Sequence, residues 1–152
     1  MKLTETPDTK IFPKTHYVFI EKVGPFLETA QKAWNECRMG KEEIAEQVQI
    51  TGAFALWKVI PQMIYRAGFS VSAKPERLPP GFQYEEFHGG KYARFVLTGS
   101  YSQLPQACEK VFSIVEKTKI PMRHDFFGEC YVNDPTVTPE DQLMTEILIP
   151  TI

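Results

Sequence analysis

The stretch Tyr17-Val-Phe-Ile-Glu-Lys-Val-Gly24-Pro25-Phe26 can be laid on Tyr92-Ala-Arg-Phe-Val-Leu-Thr-Gly99-Ser100-Tyr101 at an offset of 75 residues. The tyrosines and glycines coincide, and Phe26 meets Tyr101. Because the offset is close to half of the 152-residue chain, it indicates an internal duplication. Both stretches are rich in β-branched and aromatic residues and end at a glycine, which predicts a strand that leads into a helix.

Both halves continue with the same predicted elements. Apolar residues recur at helical spacing after each glycine, at Phe26, Ala30, Ala33, Trp34 and Cys37 and again at Leu104, Cys108, Val111 and Val115. Two strands are predicted after each helix, over residues 52–58 and 64–71 and over residues 126–132 and 143–149. Each half is therefore strand, helix, strand, strand. This order predicts an α+β fold of antiparallel sheets with helices on one face.

A Pro-rich connector, Lys74-Pro-Glu-Arg-Leu-Pro-Pro-Gly81, lies between the halves. Residues 82–87 after it are predicted as a strand. His88-Gly89-Gly90 is typical of a tight hairpin turn that would pair this strand with the one from Tyr92. We expect a single domain over residues 1–152, built from half-repeats at about 11–73 and 82–152.

Composition weighs against several classes of protein. The chain is 43% hydrophobic and 24% charged with a net charge of −2, so it lacks the basic excess of a nucleic-acid-binding protein. No stretch approaches the roughly 18 apolar residues of a membrane span, and the polar N-terminus does not resemble a secretory signal. Three widely spaced cysteines, Cys37, Cys108 and Cys130, predict reduced, largely buried thiols and a cytoplasmic location.

Alternation along the strand of residues 126–132 places Phe127, Glu129 and Tyr131 on one face. A carboxylate among aromatic side chains is costly unless it is protonated, paired or hydrogen-bonded. Glu129 is therefore a candidate functional group, and we expect burial to raise its pKa. The alternative, that it lies on a solvated face, stays open at this point.

The last strand carries a second carboxylate, Glu146, on one face with Met144 and Leu148. Its other face is aliphatic or β-branched, which predicts that this other face lies beneath the helices; its residues are Leu143, Thr145, Ile147 and Ile149. On this interpretation Glu146 lies beside Glu129 on the face away from the helices, and each carboxylate raises the pKa of the other.

The corresponding strands of the first half carry small residues beside large aromatic ones. The small residues are Ala53, Ala55 and Gly68, and the aromatic ones are Trp57, Tyr65 and Phe69. Small groups ringed by aromatics leave space for a ligand, although ordinary large-to-small packing gives the same pattern. His16, His88 and His124 have no metal-ligand spacing, and Gly89-Gly90 lacks the context of a nucleotide loop. We expect neither a metal nor a cofactor.

Several short blocks stand in a recognisable order along the chain. In the second half they are Gly90-Lys-Tyr-Ala-Arg-Phe95, Gly99-Ser-Tyr-Ser-Gln-Leu-Pro-Gln-Ala107, Glu129-Cys-Tyr-Val-Asn-Asp-Pro135 and Leu143-Met-Thr-Glu-Ile-Leu-Ile-Pro150. In the first half they are Val23-Gly-Pro-Phe26 and Tyr65-Arg-Ala-Gly-Phe69. Together they resemble the GyrI-like small-molecule-binding family, which includes effector-binding domains of AraC-type and MerR-type multidrug regulators. The likeness covers nearly the whole chain.

This resemblance implies two pseudo-symmetric strand-helix-strand-strand modules with a ligand cleft between the halves. It implies an aromatic cleft in which a glutamate at Glu129 meets cationic, lipophilic ligands, while Glu146 matches the glutamate of the family's last strand. The side chains expected to bind ligand are Glu129, Tyr131, Phe127, Glu146, Trp57, Tyr65 and Phe54.

The leading expectation is a stand-alone binding protein for hydrophobic, cationic or aromatic small molecules. A first alternative, also implied by the resemblance, is a hydrolase that opens strained cyclopropane-bearing electrophiles; its catalytic candidates are Glu129, Glu146 and Tyr131. A second alternative is a gyrase-inhibitor-like interaction module, which leaves a protein partner open, although a net charge of −2 is small for a DNA mimic. We expect no contact with a membrane, and none with nucleic acid, because residues 1–14 are too few for a helix-turn-helix.

Overall fold

The computed structural model describes the whole chain, residues 1–152, as two compact units. Unit 1 contains residues 1–12 and 90–152, and unit 2 contains residues 13–89. The strands are β1 (Lys2–Leu3), β2 (Asp8–Phe12), β3 (Thr15–Val23), β4 (Ile50–Lys58), β5 (Ile64–Val71), β6 (Phe82–Phe87), β7 (Gly90–Thr98), β8 (Phe127–Tyr131) and β9 (Met144–Pro150). The helices are α1 (Phe26–Met39), α2 (Lys41–Gln47) and α3 (Leu104–Thr118).

Unit 2 is a four-stranded antiparallel sheet in the order β4-β5-β3-β6, with α1 packed on β3 and β5. Successive side chains of a strand alternate between the two faces of the sheet. Ile20, Ala55 and Ala67 are opposite one another on neighbouring strands and form the buried face beneath α1. Ala33 and Cys37 are the fully buried side chains of the helix.

Unit 1 has the strand order β8-β9-β7, and both β1 and β2 pair with the other edge of β7. Its core lies between the sheet and α3. Phe95 of β7 and Ile147 of β9 are Cα partners, are fully buried, and belong to the same hydrophobic cluster as Val111 of the helix. The α+β class and the antiparallel pairing predicted from the sequence are confirmed within each unit.

Gly24 and Gly99 occupy the same place in the two units. Each ends a strand and leads into the helical segment, with φ of +132° and +138°, a region that glycine adopts without strain. The Gly24 amide donates to the Met63 carbonyl at 3.0 Å, and the Gly99 amide donates to the Leu143 carbonyl at 2.7 Å. Since Met63 precedes β5 and Leu143 precedes β9, the turns and their partners correspond. The expectation of a duplication is thereby supported.

The predicted hairpin between residues 82–87 and the strand from Tyr92 is wrong. Strand β6 pairs with β3, where Phe82 is opposite Ile20, and β7 instead receives β2, where Asp8 is opposite Arg94. The physical reason is that the N-terminal segment already occupies that edge of β7. Strand β2, which precedes the strand-helix-strand-strand frame of the first half, therefore belongs to unit 1, and β6, which precedes that of the second half, belongs to unit 2.

The thiols agree with the sequence-based expectation in part. Cys37, Cys108 and Cys130 are all free, Cys37 is buried, and the other two are half-buried. Burial raises the pKa of both Cys37 and Cys130 to about 12, so neither is a ready nucleophile at neutral pH. The remaining strands of the two halves, β4, β5, β8 and β9, lie within about two residues of their predicted bounds.

Candidate functional site

Glu129 lies in the middle of β8, on the face of the unit 1 sheet that is covered by α3. It is opposite Ile147 of β9, which belongs to the core beneath that helix. The Tyr131 hydroxyl donates to Glu129 Oε2 at 3.0 Å, and the Cys108 thiol of α3 approaches Oε1 at 3.8 Å. The Glu129 carboxylate therefore accepts hydrogen bonds from two uncharged groups, the Tyr131 hydroxyl and the Cys108 thiol, in an apolar setting.

Burial raises the pKa of Glu129 above its ordinary value of 4.5, and the hydrogen bonds from Tyr131 and Cys108 offset only part of that rise. The pKa of the Cys108 thiol is raised too, mainly by burial and to a smaller extent by the negative charge of Glu129. Neither group has a cationic side chain as a hydrogen-bond or ion-pair partner. Burial at this position therefore favours the neutral form of the Glu129 carboxyl relative to an exposed glutamate.

Aromatic rings flank Glu129 on both sides along β8. Phe127 packs edge-on against Phe112 of α3 with ring centroids 5.2 Å apart. Tyr131 packs edge-on against Tyr101, in the short 3-10 turn before α3, at 5.4 Å. The predicted grouping of Phe127, Glu129 and Tyr131 on one strand face is confirmed by the strand register.

The prediction that Glu146 lies beside Glu129 is wrong. Across β8 and β9, Glu146 is opposite Cys130, whereas Glu129 is opposite Ile147. The two carboxylates therefore point to opposite faces of the same sheet. The aliphatic face of β9 does lie beneath the helix, as predicted, but Glu129 is on that same face.

Glu146 is instead the centre of an ion-pair cluster on the other face. Lys10 Nζ of β2 contacts its Oε1 at 2.6 Å, and Arg94 of β7 donates to its Oε2. Arg94 also contacts Asp8 at 3.0 Å. Burial favours the neutral form of Glu146, but the hydrogen bonds from Lys10 and Arg94 outweigh this effect and lower its pKa below 4.5. Its charge is already compensated within the protein.

Trp57 and Tyr65, two of the first-half candidates, are Cα partners on β4 and β5 and are both buried beneath α1. The Trp34 indole of α1 donates to the Tyr65 hydroxyl at 2.8 Å, and the Phe26 ring lies 5.9 Å from the Tyr65 ring. These contacts fix Tyr65 inside the unit 2 core.

Phe54 and Gly68 lie on the opposite face of the unit 2 sheet from Trp57 and Tyr65, so the first-half candidates do not form one cluster. Tyr17 explains this arrangement, because its ring stacks on Phe54 at 4.2 Å and a Cβ on Gly68 would meet it at 2.5 Å. The small residue at position 68 makes room for the Tyr17 ring, as the packing alternative allowed.

An open depression of about 340 Å³ lies at the turn end of unit 1. It is lined by Ser100, Tyr101, Pro135, Thr138, Glu140 and Leu143. Tyr101 connects it to the Glu129 region through its contact with Tyr131. The Gly99-Ser100 turn and the loop between β8 and β9 form this end of the unit.

Comparisons with known proteins identify the family and the fold of the chain. The family profile of the GyrI-like small molecule binding domain matches residues 6–151. The chain belongs to the GyrI-like family. No protein sequence with a curated description matches it.

Solved structures with this fold include ligand-binding and DNA-bound proteins. The GyrI-like domain superposes on the EcmrR C-terminal domain with a TM-score of 0.81 at 14% identity, over 100% of this chain and 99% of that one. In the EcmrR–DNA complex it spans only 57% of the EcmrR chain, with a TM-score of 0.76 at 15% identity over 97% of this chain. At such identities the likeness shows the fold alone.

Two further structures cover almost all of both chains. SAV2435 bound to tetraphenylphosphonium matches with a TM-score of 0.72 at 14% identity, over 96% of this chain and 93% of that one. A hydrolase from Listeria innocua matches with a TM-score of 0.59 at 11% identity, over 98% and 93%. None of the three helices of the GyrI-like domain is long and apolar enough to cross a membrane.

Sequence reasoning grouped Tyr131 with Glu129 but missed Cys108 as the second partner of Glu129 and missed both partners of Glu146. The apolar spacing predicts Cys108 on a helix face, but only the contact of α3 with β8 identifies it as a donor to Glu129. Arg94 and Glu146 lie on two predicted strands and carry opposite charges, so the sequence contained enough information to suggest that they pair. Lys10 carried no such signal, because its strand is short and polar.

Proposed function

We propose that the GyrI-like domain binds lipophilic cations and that Glu129 supplies the countercharge. The observation that carries the proposal is the contrast between two carboxylates of one sheet. Glu146 has Lys10 and Arg94 as partners, whereas Glu129 has only the neutral donors Tyr131 and Cys108. A half-buried carboxylate in an apolar setting that has no cationic partner within the protein is suited to a cationic ligand.

Ligand charge and the Glu129 proton are then linked. A bound cation favours the carboxylate, so binding to the protonated form releases a proton from Glu129. Because the pKa of Glu129 is raised, affinity for a cation should increase with pH until Glu129 is ionised without ligand. Tyr131 and Cys108 are the titratable groups in contact with it, and Cys108 stays neutral at these pH values.

Aromatic surfaces account for the lipophilic part of the ligand. Phe127 and Tyr131 lie on either side of Glu129 along the same strand face, and both are half-buried. Ring faces attract cations by about 0.5–2 kcal/mol in addition to the apolar area that they bury. The complex of SAV2435 with tetraphenylphosphonium supports the same class of ligand. The free thiols are consistent with a reducing, cytoplasmic setting.

Titration calorimetry with methyltriphenylphosphonium and the neutral triphenylphosphine oxide tests the proposal. We expect Glu129→Gln to weaken binding of the cation by about 1–3 kcal/mol, the range for a lost charged partner, and to change the oxide much less. Glu109→Gln, an exposed residue of α3, is the control because it removes the same charge. Heats measured in two buffers of different ionisation enthalpy should show proton release in the wild type and in Glu109→Gln, but not in Glu129→Gln.

Equal losses for both ligands would limit Glu129 to a role in folding. Tighter cation binding at lower pH would also contradict the proposal, since protonation would then favour the complex.

The hydrolase alternative is narrowed by the geometry. Two carboxylates on opposite faces of a sheet cannot act on one bond, so Glu146 is excluded as the partner of Glu129 in a shared catalytic pair. The hydrogen bond from Tyr131 to a Glu129 of raised pKa still suits one general acid or base with an assisting phenol. Turnover of a cyclopropane-bearing electrophile by the wild type, lost in Glu129→Gln, would favour this alternative.

A further inference from the structure

The turn end of unit 2 exposes a group of aliphatic residues, which we call the aliphatic patch. Its members are Val23 at the end of β3, Leu27 in the first turn of α1, and Val59 and Ile60 in the loop after β4. Their exposed fractions are 58%, 95%, 49% and 83%. Among the large hydrophobic residues that unit 2 exposes, only Met39 and Leu78 are not part of it.

Backbone pairing brings the members of the aliphatic patch to one end of the unit 2 sheet. Val23 and Lys58 are both Cα partners of Ile64, so the ends of β3 and β4 flank the start of β5. The Gly24 amide donates to the Met63 carbonyl at 3.0 Å, which ties the turn before α1 to the loop between β4 and β5. The exposed residues of the turn and of the loop therefore belong to the same end of the unit.

The equivalent end of unit 1 shows that an apolar surface is not a requirement of the fold there. At the 75-residue offset, Thr98 is the counterpart of Val23, and Ser102 is the counterpart of Leu27. Both counterparts are polar. An exposed leucine costs the folded protein contact with water that a serine at the same place does not, so its presence calls for a partner surface.

The loops next to the two turns differ as well. In unit 1 the connection between β8 and β9 spans residues 132–143, and its residues line the open depression together with Ser100 and Tyr101 of the turn. In unit 2 the connection between β4 and β5 spans only residues 59–63. The longer loop therefore lies against the turn of unit 1, whereas the turn of unit 2 stays open to a second molecule.

The charges at this end of unit 2 favour a contact between identical surfaces. Residues 23–28 and 59–63 contain a single charged side chain, that of Glu28. Lys22, which precedes them, is paired with Glu36 at 2.6 Å. A patch without a basic rim has little attraction for an anionic lipid surface. Two copies of it can meet with little like-charge repulsion, as a two-fold symmetric contact requires.

We propose that the aliphatic patch is the surface through which a second copy of this chain binds in a reversible, two-fold symmetric dimer. Residues exposed to this degree present on the order of 100 Å² each, so the patch measures roughly 400–500 Å², a size at which surface patches are often functional. Pro25 and Pro61 are exposed and extend it. Burial on both copies then reaches about 1,000 Å², the lower limit for a specific interface, which predicts a weak dimer.

Sedimentation equilibrium of the protein without ligand, from about 10 µM to about 1 mM, tests the proposal. We expect a monomer at the lower limit, a dimer at the upper limit and a dissociation constant on the order of 100 µM. Leu27→Lys and Ile60→Lys should each weaken the dimer at least tenfold, because the two-fold axis places two new charges in one apolar contact. Met39→Lys is the control, since it adds the same charge at an 84% exposed position at the other end of α1.

A mixture of two charged variants tests whether the patch contacts itself. Leu27→Lys and Leu27→Glu should each be monomeric alone, whereas an equimolar mixture at low ionic strength should form a heterodimer. The same mixture made from Met39→Lys and Met39→Glu should not differ from its components. Because the substituted side chains are exposed, the thermal midpoints of unfolding should match that of the wild type. Leu27 and Ile60 belong to different elements, so either position tests the patch if a variant at the other does not fold.

The proposal is independent of Glu129 and of the proposed ligand. A wild type that stays monomeric at 1 mM would overturn it. A dimer that both Leu27→Lys and Ile60→Lys leave intact would also overturn it, because another surface would then form the contact. Monomeric protein that co-sediments with phosphatidylcholine–phosphatidylglycerol vesicles, and no longer does so in these variants, would identify a lipid surface as the partner and overturn the dimer.

Discussion

Units 1 and 2 share a strand-helix-strand-strand frame but differ in the charges that they place on it. Strand pairing makes Ala55 of β4 the counterpart of Glu129 of β8, since both are in the middle of a β-strand beneath a helix and opposite equivalent residues, Ala67 and Ile147. Ala55 is fully buried in an apolar layer, whereas Glu129 is half-buried and bound by two neutral donors. The carboxylate that we propose as the ligand's countercharge is thus present in only one copy of the duplicated module.

The other faces of the two sheets carry opposite charges at equivalent positions. Arg66 of β5 corresponds to Glu146 of β9. Arg66 is paired with Glu21 and Glu85 and lies over the Phe19 ring, while Glu146 is paired with Lys10 and Arg94. In each unit, the charged residue at this central position is therefore neutralised by side chains of opposite charge. Glu129 differs because both of its partners are neutral, and this difference is the basis of the proposed function.

The largest change in stability is expected from a carboxylate at position 55, the position in unit 2 that corresponds to Glu129 in unit 1. Ala55→Glu places an unpaired charge in a fully buried site, so it should lower the free energy of unfolding by roughly 3–5 kcal/mol. Urea unfolding measures the change. Thr51→Glu, on an exposed part of the same strand, is the control and should alter stability by no more than about 0.5 kcal/mol. A stable Ala55→Glu variant would show that both modules accept a central carboxylate.

The next largest loss in the free energy of unfolding is expected when the charge of Glu146 is removed. Glu146→Gln leaves Lys10 and Arg94 without their shared partner, and because those two side chains are only partly exposed, we expect a loss of roughly 2–4 kcal/mol. Asp8→Asn removes an exposed partner of Arg94 and should cost no more than about 1 kcal/mol. The pKa of Glu146 is lowered in the folded state, so its stabilisation is present above pH 4.5 and is lost as the pH falls through the folded pKa. Equal losses in the two variants would contradict a central role for Glu146.

The frame of the two modules could be predicted from the sequence, but the faces of the carboxylates could not. Gly24 and Gly99 mark the strand-to-helix turns, because only a residue that tolerates positive φ fits there. In contrast, the register of β8 against β9 depends on the loop between Val132 and Leu143, whose sequence does not determine the pairing. A slip of one residue moves every side chain of a strand to the other face. A change of register by one residue is therefore enough to convert the expected Glu129–Glu146 pair into the observed one, in which the two carboxylates lie on opposite faces.

The glycine turns provide a smaller test of the comparison. Gly24→Ala and Gly99→Ala each force a side chain into a positive-φ conformation, and we expect similar losses of about 1–2 kcal/mol. At Gly99 the new Cβ would meet only the end of the flexible Gln103 side chain, and at Gly24 the nearest atom is 3.4 Å away, so strain rather than contact should decide both values. Gly52→Ala, at a strand position without positive φ, should cost less. Markedly unequal losses at the two turns would mean that they are not equivalent.

The smallest expected effect is the pH dependence that Glu129 contributes to stability. Its pKa is raised in the folded protein, so its contribution is fully present below the unfolded-state pKa near 4.5 and is lost as the pH rises through the folded pKa. Glu129→Gln keeps an acceptor for the Tyr131 hydroxyl and removes the titrating group. The stability of the variant relative to the wild type should therefore increase between pH 4.5 and neutral pH, the opposite trend to the one caused by Glu146. Chemical unfolding of both proteins at a series of pH values measures this difference. A variant that loses relative stability as the pH rises would show that Glu129 is ionised and stabilised inside unit 1, and the need for an external cation would disappear.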